Sequence, residues 1–226
     1  EINQAAALVG GITPGDDPGF PVTLSERGAY RLTGNLALPL DAVGIDATIE
    51  GVDIDLGGFA IVGQGSCGVL TPNTCNLGDG IGIHGVDHVG VHDGTIRSGG
   101  LYAIQLGRFA RVARVDVEFS LFSGISVGER SSISSSTVTT NQQDGITAGA
   151  FSIVQDTILA GNSRYGIGTY QGTLVSGCSV SGSFWGIAFL DVSSGGYRGN
   201  SLSAFVPTLG LAVNLGGNFC NSTLCP

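Results

Sequence analysis

The residues best suited to chemistry lie in a short part of the chain. Asp116 and Glu118 are separated by one residue. On an extended strand such residues project from one face, about 6.5–7 Å apart. That separation suits two carboxylates of an inverting glycoside hydrolase, one an acid and one activating a water. Arg97, Arg111 and Arg114 lie nearby and could bind an acidic sugar. His84, His88 and His92 are spaced by four, which aligns side chains on a helix but spreads them around a corner of a strand–turn–strand path. A metal there would need Asp87 or Asp93 as a further ligand. The expectation is solvated histidines, with no metal and no cofactor. Tyr165, Phe184 and Trp185 are aromatics suited to stacking on sugar rings or a partner.

What must position these residues is a repeat. A small residue followed by isoleucine recurs at Gly82-Ile83, Ala103-Ile104, Gly124-Ile125, Gly145-Ile146, Gly166-Ile167 and Gly186-Ile187. Steps between the isoleucines are 21, 21, 21, 21 and 20. Such a period, with no long helical pattern, predicts a solenoid. Counted from the marker isoleucine, aliphatic residues recur at offset 8 (Val91, Val112, Ile133, Val154, Val175) and offset 13 (Ile96, Val117, Val138, Leu159, Val180). Inward pairs at offsets 0 and 2, 6 and 8, and 11 and 13 each span a short strand with period-2 alternation. Three strands per coil predict an all-β, single-stranded parallel β-helix with three parallel sheets, right-handed by the chirality of parallel crossovers.

The whole chain reads as one domain. Residues 1–20 break the period and form an N-terminal cap or extension, helical over 4–9. First strands and a coil occupy 21–63, with 45–63 as the first coil. The step of 38 from Ile45 to Ile83 is one coil of 21 plus an insertion of 17, placed at 64–79. Regular coils fill 80–213, the last marked by Leu211, and a tail covers 214–226. Cys67 with Cys75, and Cys220 with Cys225, close short loops and read as disulfides of an exported protein. Cys178 faces inward as a small apolar residue. Asn141 and Asn162 share offset 16 and form a short turn ladder with Ser120 and Ser183. Asn221-Ser222-Thr223 is a glycosylation sequon.

Offsets also predict surface neighbours. Asp87, Arg108 and Glu129 form an alternating charge stack; Arg97 lies beside Glu118, and Asp93 beside Arg114. The expectation is ion pairs that fix coil register. That reading takes Glu118 and both arginines away from catalysis, so the expectation is no catalytic residue. Tyr102, Ser123, Asp144, Tyr165 and Trp185 form one row.

The stretches YRLTGNL (30–36) and VDIDLGGFAIVG (52–63), followed by coils such as SGISVGERSSISSSTVTTNQQDGI, resemble the secreted parallel β-helix repeat proteins of the pectate-lyase-like superfamily. The resemblance covers residues 21 to about 215 and implies the fold and an extracellular or cell-surface setting after signal-peptide removal. It does not imply one activity, because that superfamily holds lyases, hydrolases and non-catalytic scaffolds. Its polygalacturonases carry Asn-x-Asp, Asp-Asp, His-Gly and Arg-x-Lys motifs. Only His84-Gly85 matches here; Asp16-Asp17 lies outside the coils, and the chain contains no Lys.

A net charge of −9 argues against nucleic acid, and no apolar run is long enough to span a membrane as a helix. Charged residues are 12% of the chain, about half the usual share, so part of the surface is expected to be covered. The leading expectation is a structural protein that associates with itself into a filament, coat or oligomer through its coil ends and residues 1–20. The alternative is a carbohydrate-active enzyme or polysaccharide-binding protein.

Overall fold

The computed structural model describes residues 1–64, 78–98, 100–191 and 195–225, and the backbone of two short strands, Ser66–Cys67 and Cys75–Asn76. It is a parallel β-solenoid. Nine strands stack into the first sheet: Val22–Leu24, Val43–Ala47, Ile81–Gly85, Tyr102–Leu106, Ser123–Val127, Asp144–Ala148, Tyr165–Thr169, Trp185–Phe189 and Val206–Leu209. Each opens one coil, numbered one to nine below. The marker isoleucines pair in register from Ile45 and Ile83 through to Ile167 and Ile187. A second sheet runs from Gly28–Arg31 to Ala212–Asn214, and a third from Leu36–Ala37 to Phe219–Cys220.

Inward positions follow the offsets. Ile83, Val91 and Ile96 of coil three, and Ile146, Val154 and Leu159 of coil six, are all at most 1% exposed. Each stacks on its counterpart one coil away, so a single apolar core runs the length of the solenoid. Small polar residues at inward offsets are also buried: Ser131, Ser152 and Thr173 line one corner. There the Ser131 hydroxyl accepts from the Ala110 amide at 3.0 Å, and the Ser152 hydroxyl from the Ser131 amide at 3.1 Å. A short hydroxyl thus satisfies each amide that turns away from the sheet.

The corners are left-handed turns shared by glycine and non-glycine residues, with Gly172, Gly177 and Gly182 continuing rows that larger residues begin. One corner row is His88, Phe109, Arg130 and Phe151, all with φ between 56° and 59°. A second is Asp93, Arg114, Ser135 and Asp156; a third includes Phe119 and Thr140. Non-glycine residues rarely adopt this left-handed conformation, and stacked side chains hold several of them here. The marker glycines serve close packing instead. A Cβ on Gly145 would sit 2.6 Å from the Gly166 carbonyl oxygen, and one on Gly166 2.7 Å from that of Gly186.

Three sequence expectations are refined. Residues 22–37 already complete a coil, so 45–63 belongs to coil two. Strands Gly90–Arg97 and Arg111–Glu118 run unbroken through the corner at Asp93 and Arg114, joining the second and third sheets in coils three and four. Leu211 does not mark coil nine; Thr208 is the residue opposite Ile187. The disulfide expected between Cys67 and Cys75 lies outside the described residues, where the backbone pairs antiparallel.

The two ends differ. Residues 1–20 fold onto the chain's own coil one, with helix Gln4–Val9 capped by Asn3. They satisfy strand edges on all three sides. The Asp16 carboxylate accepts from the Thr23 amide at 2.7 Å, and the Thr13 hydroxyl donates to the Thr23 carbonyl at 2.6 Å. The Ile2 amide donates to the Arg31 carbonyl, and the Ile2 carbonyl accepts from Thr33. The Gln4 side-chain amide stands in for a strand, bonding both N–H and C=O of Ala37. At the other end, strand Thr223–Leu224 covers only Phe219–Cys220. Among the described residues, Val206–Leu209 and Ala212–Asn214 pair on one side only. The tail is closed by a Cys220–Cys225 disulfide.

Candidate functional site

Two surfaces stand out. One is a groove of about 230 Å³ along the first sheet, lined among others by Tyr102, Phe122, Ser126, Thr147, Arg164 and Tyr170. Outward residues of successive first-sheet strands form its floor, which is why hydroxyls recur there. At its centre Asp144 is 3% exposed. Arg164 grips it with two bonds, Nε to Oδ1 at 2.8 Å and Nη2 to Oδ2 at 2.6 Å. The carboxylate holds the Arg164 guanidinium above its ordinary pKa, against burial, which lowers it. Thr147 donates to Asp144 at 3.3 Å and meets the Ser123 hydroxyl at 3.1 Å. The Tyr102 and Phe122 rings lie 5.9 Å apart on one wall. The floor is polar and the walls carry rings, an arrangement suited to flat, hydroxyl-rich ligands.

The second surface is the C-terminal end. The row read from sequence brings Tyr165 and Trp185 together, with ring centroids 5.2 Å apart. Phe184 packs edge-on to Trp185 at 4.4 Å and continues to Phe205 at 4.8 Å. Phe205 is 77% exposed. Leu211, Val213, Leu215, Phe219 and Leu224, all on coil nine or its tail, are each at least half exposed. The aromatic row therefore leads into an apolar end whose strand edges are open. Sequence reasoning missed this because the offset pattern was lost after Ile187.

The charge stacks form largely as the offsets predict. Arg108 binds Asp87 through Nε at 2.8 Å and Nη2 at 2.7 Å, and Arg114 binds Asp93 through Nη2 at 2.8 Å. Hydrogen bonding to Arg108 holds Asp87 below the usual carboxylate range; Arg114, then His92, hold Asp93 further below it. Glu129 does not bridge to Arg108 and only adds a weaker attraction. Arg97 is paired with Glu118, so Asp116, exposed between Thr95 and Thr137 of the adjoining coils, has no free carboxylate partner on its strand.

The histidines lie at the surface, His84 and His88 about half exposed, and each faces a carboxylate. His84 Nδ1 lies 2.8 Å from Asp46, and His88 Nδ1 lies 3.7 Å from Glu50. His92 places Nδ1 2.7 Å from Asp93 and Nε2 3.1 Å from Asp53. Asp55 completes this cluster, but Arg31 and Arg114 already neutralise Asp55 and Asp93. Two guanidinium groups thus supply the positive charge that a cation would bring. His88 also begins a corner stack absent from the sequence reading: its ring lies on Phe109 at 4.6 Å, and Arg130 sits between Phe109 and Phe151 at 5.8 and 5.7 Å. Cys178 is buried and free, and burial pushes its thiol up to about 11, so it is inert.

Among the described residues, no helix is long and apolar enough to cross a membrane. No protein-family model, curated protein or solved structure matches the chain.

Proposed function

We propose that this protein is a non-catalytic structural protein that assembles with a second copy of itself through coil nine. The observation that carries this reading is the contrast between its ends. Residues 1–20 blunt every side of coil one, whereas on coil nine, among the described residues, strands Val206–Leu209 and Ala212–Asn214 each pair with another strand on one side only, beside Phe205, Leu211, Val213 and Leu215. Open apolar edges template further pairing unless something covers them. The cap removes a matching edge from the N-terminal end, so a head-to-tail filament is disfavoured. Two copies can instead meet coil nine to coil nine about a two-fold axis, an isologous contact that closes on itself. Residues 1–20 serve the chain's own solenoid rather than a neighbour's. The Cys220–Cys225 disulfide and the repeat's resemblance to secreted β-helix proteins support an extracellular setting. Sedimentation velocity tests the reading. We expect a species of twice the 22.8 kDa chain mass, converted to the single mass by Val213→Glu with the circular dichroism spectrum unchanged.

The groove favours a second reading, polysaccharide binding along the first sheet, because its rings flank a hydroxyl-lined floor. Affinity electrophoresis in gels containing neutral or acidic polysaccharides tests it. Retardation that Tyr170→Ala abolishes supports the reading, and equal mobility in every gel refutes it.

A further inference from the structure

All three histidines of the chain lie on coil three, and every one of them faces a carboxylate of coil two. His84 does so on the first sheet, His88 at the corner and His92 on the second sheet. This junction also carries the longest sequence step, 38 residues from Ile45 to its register partner Ile83. Among the described residues the junctions beyond coil four are held by arginine pairs, amide ladders and apolar contact, none of which changes charge near neutrality; between coils three and four His88 adds a ring stack on Phe109.

The geometry at His92 selects a protonation state. Both ring nitrogens face carboxylate oxygens, Asp93 at 2.7 Å and Asp53 at 3.1 Å, and Asp55 lies 3.8 Å away. A carboxylate only accepts hydrogen bonds, so both nitrogens must donate, and only the imidazolium carries two N–H groups. A neutral ring would turn one lone pair against a carboxylate. The remaining charged neighbours are Arg114, bonded to Asp93, and Arg31, bonded to Asp55. Around His88 the charged groups are Glu50, Asp87, Arg108 and Arg27. His84 faces Asp46, and its register partner on coil four is the uncharged Gln105.

We propose that the junction of coils two and three is a proton-dependent clasp, fastened while His92 is doubly protonated and loosened when it loses that proton. Burial lowers the His92 pKa, but the hydrogen bonds it donates to Asp93 and Asp53 outweigh it and leave the value raised above 6.5. A raised folded-state pKa means the stabilisation is complete below 6.5 and disappears as pH rises through the folded value. Loosening would first affect the ladder between Asp53–Asp55 and Gly90–His92. The clasp is independent of how coil nine is covered.

The test combines NMR titration of the histidine rings with hydrogen exchange, both on the full chain. The His92 signal, assigned by its loss in His92→Gln, should titrate with a midpoint above 6.5. Amides at 53–55 and 90–92 should lose protection several-fold between about pH 5.5 and about pH 8.5, corrected for intrinsic rates, relative to coils five to eight. His92→Gln should abolish that difference, and His84→Gln should retain it. A His92 midpoint at or below 6.5 would overturn the proposal, as would parallel changes at all junctions. The wild-type hydrogen exchange needs no assignment from the variant, so it decides the matter even if His92→Gln does not fold.

Discussion

Replacing Asn162 with alanine tests how the solenoid closes its corners. Asn162 is fully buried. Its Oδ1 accepts from the Asn141 backbone amide at 3.1 Å and from the Asn141 side-chain amide at 2.8 Å. Its Nδ2 donates to the Val138 carbonyl at 3.0 Å. Asn162→Ala leaves three polar groups without these partners in a buried corner. Each buried orphan costs about 1–3 kcal/mol, and one water entering the vacated space can recover part of that. The expected loss is therefore about 3–5 kcal/mol, a large share of the about 5–15 kcal/mol that stabilises an ordinary domain. Guanidinium denaturation followed by far-ultraviolet circular dichroism measures it, with Ser163→Ala as an exposed control expected within about 0.5 kcal/mol. Asn162→Asp should be no better, because it replaces the donor to Val138 with an acceptor. A loss below about 1 kcal/mol for Asn162→Ala, no more than an average substitution, would refute the ladder as a structural element.

Arg164→Ala strands the buried Asp144 carboxylate with only Thr147 and the Tyr165 amide. It should destabilise by about 2–3 kcal/mol, less than a fully buried pair because Arg164 is half exposed, and Asp144→Asn should partly restore the double variant in the same denaturation assay. If the groove binds saccharide, Tyr102→Ala should weaken binding about five- to tenfold by titration calorimetry, the loss of about one ring contact.

The sequence made the core legible because inward offsets carry aliphatic side chains that stack on themselves. The marker isoleucines, the charge pairs Asp87–Arg108, Arg97–Glu118 and Asp93–Arg114, and the turn ladder at Asn141 and Asn162 all follow from one period. Legibility failed where that period breaks. The excursion before coil three shifts the register to 38 residues, so Asp46 opposite His84 and Glu50 beside His88 did not align with any offset. Near the C-terminus, Asn200 and Asn218 form a second buried ladder, the Asn218 side chain accepting from the Asn200 amide at 3.0 Å. Their spacings of 22 from Cys178 and 18 from each other hid it. Coil nine was misplaced because its marker position holds Thr208 instead of an aliphatic residue. The left-handed corner at His88, Phe109, Arg130 and Phe151 went unread because its residues differ in type. All four share offset 5 from the marker isoleucine, but no common side-chain type marks the row.

Self-association through coil nine is the claim on which the functional reading rests. Sedimentation velocity over a concentration series measures it directly, with wild type, Val213→Glu and an N-terminal control, Val9→Glu, run side by side. The account predicts a dimer for wild type and Val9→Glu and a monomer for Val213→Glu. A wild-type chain that stays monomeric at every concentration, or a dimer lost on changing Val9 and kept on changing Val213, would contradict it.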